Sequence, residues 1–411
     1  QILGFVNDEG EGNYGVEQFM NQQLSGEPGQ LKAITDSRGV PLVSNQDNIL
    51  KDPKPGERLL LSIDIGMQRK AESLLAEHLK EVRSESGSII VLDPDTGAVR
   101  AMANLPSFNP AEFFKQSDPS VFTNDAVSSP LEVGSVMKTL TVATGLNEGV
   151  IGPNTTFYDP AKLKIDGATV RNVEEDGGAQ TRSIADILRY SLNTGAVYVL
   201  QKLGGGEINE KGRGIWHDYL INHYFFGQKT GIEQGYEAEG VIPDPNEGFG
   251  RNIKYANAVF GQGLTTTPIQ FASAFAATIN GGKYYQPYLV EKDNPQPKKT
   301  DVVSDKVSSE LRKLHENSVN LRYPYVDRDG YKIGGKTGTA EVASPNGGYY
   351  EDRFNGTFVG YVGGDKPEYV VMIRIDEPKI YGYAGSAAAA PLFGKVVSML
   401  IDNFAVSPAG E

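Results

Sequence analysis

Three short motifs, far apart in the chain, constrain its fold more than any other feature. Ser135-Val136-Met137-Lys138 reads S-x-x-K, Ser191-Leu192-Asn193 reads S-x-N, and Lys336-Thr337-Gly338-Thr339 reads K-T-G-T. Gly134 precedes Ser135, and Val136, Met137, Leu140, Val142, Ala143 and Leu146 follow before Gly149. That pattern predicts a buried helix with Ser135 in or near its first turn. Positions i and i+3 share a helical face, so Lys138 is expected to reach the Ser135 hydroxyl. The helix N-terminus offers partial positive charge to an oxygen that becomes negative. A serine hydroxyl needs a base to act as a nucleophile. A lysine serves only when burial or neighbouring cations favour its neutral form, and the apolar flanks of Lys138 supply burial. Lys336 is a candidate second cation.

The second motif falls at a break between helical patterns. Ser183 and Asp186 form a capping box before Ile184, Ile187, Leu188 and Tyr190, and the periodicity resumes at Ala196-Val197-Tyr198-Val199-Leu200. A serine and an asparagine two apart in a tight turn point at one cleft. Ser191 is a candidate to pass a proton, and Asn193 to hold a substrate amide. The third motif ends a strand-like run, Tyr331-Lys332-Ile333-Gly334-Gly335. Paired glycines let a substrate backbone approach such an edge. Lys336 supplies charge there, and Thr337 and Thr339 can donate hydrogen bonds to a carboxylate. Residues 330–337 also read G-x-x-x-x-G-K-T, formally a phosphate-binding loop. The context opposes it, because residues 322–329 are polar and residues 341–350 carry Pro345-Asn346-Gly347-Gly348 where a helix must begin.

Composition removes several alternatives. The formal net charge is −13, which argues against nucleic acid as a partner, so an anionic ligand must be held by local positive charge. The chain has no cysteine, which rules out disulfides, thiol nucleophiles and cysteine-bound metals. Its four histidines, His78, His217, His223 and His315, show no metal-ligand spacing and read as packing or surface residues. No metal or cofactor is expected, and no G-x-S-x-G elbow is present. No run of eighteen apolar residues occurs, so nothing in the sequence spans a bilayer. At 411 residues the chain exceeds one ordinary core, and a large domain plus a smaller one is expected.

The smaller region is placed at residues 1–58, which include the polar loop Ser44-Asn45-Gln46-Asp47-Asn48 and end at the linker-like Asp52-Pro53-Lys54-Pro55-Gly56. The larger one is placed at 59–411. Residues 59–65 read as a strand and 68–83 as a helix. Residues 88–93 and 98–103 flank Pro94-Asp95-Thr96-Gly97 and predict a hairpin. Residues 357–362 and 369–375 predict a second strand pair, and 386–403 a last helix. Strands at both ends with helices between suggest an α+β domain whose terminal strands share one antiparallel sheet.

With the three motifs in order, the chain resembles the penicillin-binding proteins, specifically the class B transpeptidases of bacterial cell-wall synthesis. Leu92-Asp93-Pro94, Pro106-Ser107-Phe108-Asn109-Pro110, Phe260-Gly261-Gln262-Gly263, Pro268-Ile269-Gln270 and Thr357-Phe358-Val359-Gly360-Tyr361 also look like family segments. Residues 1–30 resemble part of the family's N-terminal pedestal. The abrupt opening at Gln1-Ile2-Leu3 suggests that a membrane anchor and the first part of the pedestal precede it. Gly134-Ser135-Val136-Met137-Lys138-Thr139 resembles division-type members slightly more than elongation-type ones.

The resemblance implies a five-stranded sheet between helices and a serine-type D-Ala-D-Ala transpeptidase. Ser135 would attack the penultimate D-Ala of a peptidoglycan stem peptide, and a neighbouring stem's amine would resolve the acyl-enzyme. Lys138 would be the base, Ser191 a relay and Asn193 a substrate-positioning group. Lys336, Thr337, Gly338 and Thr339 would bind the substrate, with the backbone amides of Ser135 and Thr339 as oxyanion hole. β-Lactam antibiotics would acylate Ser135. Implied partners are cell-wall synthesis or division proteins, including a glycosyltransferase, at the outer face of the cytoplasmic membrane. Rival readings are a D,D-carboxypeptidase, a serine β-lactamase and a silent scaffold or sensor. The E-x-x-x-N spacing of Glu316 and Asn320 occurs in one β-lactamase class, but it falls on a regular helical pattern.

Overall fold

Turn chemistry at Pro94-Asp95-Thr96-Gly97 sets the first hairpin of the main sheet. In the computed structural model, β1 (Gly87–Leu92) pairs antiparallel with β2 (Val99–Leu105). The other three strands come from the far end of the chain: β3 (Lys332–Ala343), β4 (Tyr349–Gly363) and β5 (Pro367–Ile375). All neighbours are antiparallel, in the order β3-β4-β5-β1-β2, so β3 is outermost. The expected sharing of one sheet by the two ends of the domain is what the fold contains. The structure describes residues 1–32, 37–38, 49–172, 178–344 and 347–410. The polar loop expected at residues 44–48 lies outside them, as do residues 345–346 of the Pro-Asn-Gly-Gly stretch.

The central strands β1 and β5, with parts of β2 and the second half of β4, are apolar because both faces of the sheet are covered there. Ile90, Leu92, Met102, Val359, Tyr361, Val370 and Met372 belong to one core cluster. Their alternates Ile89, Val91, Ala101, Ala103, Phe358, Val371 and Ile373 belong to a second. The first cluster is completed by helices α2 (Met137–Asn147), α4 (Asn193–Leu203) and α5 (Pro268–Ile279). The second is completed by α1 (Ile65–Val82) and α7 (Ala390–Asn403). Two further helices, α3 (Ile184–Arg189) and α6 (Asp305–Arg322), sit near the S-x-N turn and behind β3. Side chains alternate across a strand, so a two-faced core needs an unbroken apolar run.

Some boundaries differ from the sequence reading. Residues 59–65 form no strand beyond a single bridge of Leu61 to Val290. Asp64 instead caps α1 by accepting from the Met67 amide at 2.9 Å, and Ile65 becomes its first residue. A satisfied helix N-terminus wins over the β propensity of a run that has no partner strand. The strand expected to stop at Gly335 continues through Lys336-Thr337-Gly338-Thr339 to Ala343, which removes the phosphate-loop reading, since no helix follows. The other expected elements are present, with β4 beginning at Tyr349 instead of residue 357, and the Ser183–Asp186 capping box starts α3.

Residues near the start of the chain pack on later segments. Phe5 stacks on Phe113 at 4.1 Å and touches Phe122 at 5.1 Å, and Val16 enters the first core cluster. Farther along, Glu27 pairs with Lys51 and Lys54.

Two substitutions separate core from cap. Phe393 is fully buried and stacks on Phe358 at 4.1 Å, so Phe393→Ala should destabilise by about 3–5 kcal/mol. Ser183→Ala should cost about 1 kcal/mol. Denaturant unfolding monitored by circular dichroism checks both, and equal losses would contradict the two-core description.

Candidate active site

The chain enters the site through a tight turn that only glycine can make. Gly134 has φ +64°, and a Cβ there would lie 2.6 Å from the Thr339 carbonyl oxygen and 3.1 Å from its backbone nitrogen. The 3-10 turn Gly134–Val136 then leads directly into α2. Gly338 is constrained from the other side, since a Cβ would meet Thr357 Oγ1 at 2.2 Å and the Val133 carbonyl at 2.5 Å. Thr357 Oγ1 donates to that carbonyl at 2.8 Å. The serine turn and the K-T-G-T strand are therefore in backbone contact.

Four of the expected residues converge on one hydrogen-bonded group. Lys138 Nζ donates to Ser135 Oγ at 2.8 Å and lies 3.1 Å from Ser191 Oγ. It also bonds the Ser191 carbonyl. Lys336 Nζ reaches the same Ser191 Oγ at 2.9 Å and the Thr337 carbonyl at 2.9 Å. Lys138 is fully buried and Lys336 is 3% exposed, so both amines rely on these partners instead of water. The Phe260 ring covers Lys138, with its centroid 6.0 Å from Nζ. Ser191 adopts φ +59°, an uncommon backbone for a non-glycine residue, in the link between α3 and α4.

The remaining expected residues are engaged by the protein. Asn193 Nδ2 donates to the Arg171 carbonyl at 2.9 Å. Thr337 Oγ1 is 3.1 Å from the Tyr323 hydroxyl, and Thr339 Oγ1 accepts from the Gly385 amide at 2.9 Å. Strand alternation explains the split. Lys336 lies opposite Val359, which faces the helices around Ser135, whereas Thr337 lies opposite Phe358 in the other core. A carboxylate approaching these threonines must share hydroxyls that already have partners. Beside Thr339 the surface opens into a cavity of about 1260 Å³ bordered by Arg353, Asp376, Glu377, Tyr381 and Tyr383.

Sequence reasoning missed Tyr323 and the packing role of the 260–263 segment. Gly134 N donates to the Gly261 carbonyl at 3.1 Å, so that segment props the serine turn. The sequence marked F-G-Q-G only as a familiar string, and nothing local tied it to Gly134. His315 is buried behind β3 and packs edge-on to Phe275 at 5.3 Å. Burial, helped by the nearby Lys336 charge, pushes its imidazole down to about 3, which leaves it neutral. Glu316 accepts from the Tyr361 hydroxyl at 3.0 Å on a regular helix. Among the described residues no group of three or more His, Asp or Glu side chains is arranged to hold a metal ion, and no helix is long and apolar enough to cross a membrane.

Known proteins are similar to this chain. Stage V sporulation protein D of Bacillus subtilis is 31% identical over 99% of this chain, which spans 63% of that protein. A probable peptidoglycan D,D-transpeptidase, PbpC of Pseudomonas aeruginosa, is 28% identical over 99% of this chain and 69% of its own length. The solved penicillin binding protein 3 of Mycobacterium tuberculosis in complex with ampicillin superposes with a TM-score of 0.85 at 25% identity. That match covers all of this chain and 88% of the other. The family described as penicillin binding protein transpeptidase domain matches residues 87–398, the span that holds the five-stranded sheet, the serine turn and the K-T-G-T strand, and the chain belongs to that family.

Proposed function

We propose that this chain is the catalytic portion of a serine peptidoglycan D,D-transpeptidase, acylated at Ser135 by stem peptides and by β-lactams. The observation that carries the reading is the Lys138 amine 2.8 Å from Ser135 Oγ, with Ser191 Oγ between it and Lys336. To act as the base, this buried amine must be unprotonated when the Ser135 hydroxyl transfers its proton. Ser135 Oγ gives its proton to Lys138 and bonds to the carbonyl carbon of the penultimate D-Ala. The oxygen that becomes negative is received by the backbone amides of Ser135 and Thr339. The close approach of Thr339 to Gly134 supports that pairing. Collapse breaks the C–N bond, and terminal D-Ala leaves with a proton returned through Lys138 and Ser191. The acceptor amine then attacks the ester, surrenders a proton to the same relay, and Ser135 regains its hydroxyl.

In this reading Lys336 holds the terminal carboxylate by charge, with Thr337, Gly338 and Thr339 alongside, and Asn193 positions the peptide after exchanging its bond to Arg171. Residues 59–411 act as the transpeptidase domain and residues 1–58 as part of a pedestal. The native protein works at the outer face of the cytoplasmic membrane, held by an N-terminal anchor, with cell-wall synthesis or division proteins as partners. The relationship to the ampicillin-bound mycobacterial protein supports the β-lactam part.

Intact-mass measurement after incubation with penicillin should show one covalent adduct that persists and is absent in Ser135→Ala. Rapid loss of the adduct would indicate a β-lactamase, and no adduct would remove the acylation reading. Lys138→Ala should slow adduct formation by about 10²–10⁴-fold, the scale of a lost general base. With a donor stem peptide and a second stem carrying a free amine, cross-linked product is expected, whereas hydrolysis alone would assign a D,D-carboxypeptidase.

A further inference from the structure

Three residues before Ser135, one half-buried carboxylate joins separate segments around the serine turn. Glu132 Oε1 accepts from the Gly263 amide at 2.9 Å. The Tyr349 hydroxyl, at the start of β4, donates to the same carboxylate at 2.9 and 3.1 Å. Its neighbours fix the same turn by other means. Leu131 exchanges backbone bonds with Thr266 at 3.0 and 3.1 Å, and Gly134 bonds Gly261. Val133 takes the Thr357 hydroxyl of β4. A second tie crosses alongside, where Gln262 Nε2 donates to Glu341 Oε2 of β3 at 3.2 Å. Burial raises the Glu132 carboxyl above the usual carboxylate range, with the Glu341 charge adding to it, while the Gly263 and Tyr349 hydrogen bonds oppose the rise.

We propose that Glu132 is a positioning residue for acylation: it fastens the start of β4 and the 260–263 segment to the nucleophile turn, and thereby fixes the spacing between the Ser135 and Thr339 amides. The inference rests on acylation at Ser135. The argument is geometric. The spacing that matters lies between the turn at residues 134–136 and β3, and β3 is held on its inner side by β4. Val133 pins β4 at Thr357, and Glu132 pins it at Tyr349, near the hairpin end. Without the outer pin, β3 beyond Thr339 keeps its ladder to β4 but loses its register against the serine. An oxyanion site acts through donors already in place, so loosening it slows the bond-forming step more than it weakens initial binding.

Acylation by a fluorescent penicillin, followed by stopped flow, separates the dissociation constant of the first complex from the first-order acylation step. For Glu132→Ala the acylation step should fall at least about tenfold while the dissociation constant changes less than about twofold. Glu132→Gln, whose amide oxygen accepts both bonds, should recover acylation to within about threefold of the parent. Tyr349→Phe should lose part of the rate, and Glu132→Ala combined with Tyr349→Phe should be no slower than Glu132→Ala alone, since both act through one contact. Unchanged acylation in Glu132→Ala, multiplying effects in the double variant, or failure of Glu132→Gln to recover the rate although its thermal midpoint equals the parent's would each overturn the proposal. A parent protein that takes up no penicillin would instead sink the acylation reading itself.

Discussion

Ser191 Oγ lies within hydrogen-bond reach of two buried amines, and an amine removed from water must find partners or lose its proton. The rest of the site follows from that constraint. Lys138 sits on α2, Lys336 on the edge strand β3 and Ser191 on the link between two helices, so Lys336 and Lys138 share Ser191 only when sheet and helices close on one another. The left-handed backbone of Ser191 is tolerated because its hydroxyl and carbonyl both serve these amines.

The sheet makes that closure rigid. Its two faces belong to two separate cores, one built with α2, α4 and α5 and the other with α1 and α7. A strand packed on both sides cannot slip by one residue without exchanging its two apolar sets. Lys336 is thereby held toward the helices, and Thr337 toward Tyr323 and Phe358. The same register places Gly338 where the serine turn needs an absent side chain.

Much of this was legible in the sequence, and the reasons are local. Ser135 and Lys138 are one helical turn apart, so their contact follows from helix geometry. The Pro94–Gly97 hairpin and the Ser183 capping box declare themselves within a few residues. The misses all depend on distant segments. Residues 59–65 look like a strand until the Asp64 cap is seen. The partners of Thr337 and Thr339 lie on Tyr323 and Gly385, which no spacing rule connects to the motif. Glu132 reads as an ordinary polar residue ahead of a glycine turn, and its bonds to Gly263 and Tyr349 arise only when three remote segments meet. The rule of alternation was available for Thr337 and Thr339, but applying it required knowing that the strand runs on to Ala343.

The position of β3 at the rim of the sheet has a wider consequence. An outermost strand leaves one row of amide and carbonyl groups without a ladder partner, and an extended chain laid along it is gripped by its main chain. For the proposed substrate, discrimination then falls on backbone direction and on the handedness at each α-carbon, because those decide whether the row can be matched. Side-chain identity matters only where a residue turns into the cleft. On the proposed reading a compact strained amide would occupy only a short part of the same rail, so an inhibitor and a long peptide would compete for one end of it while using very different lengths.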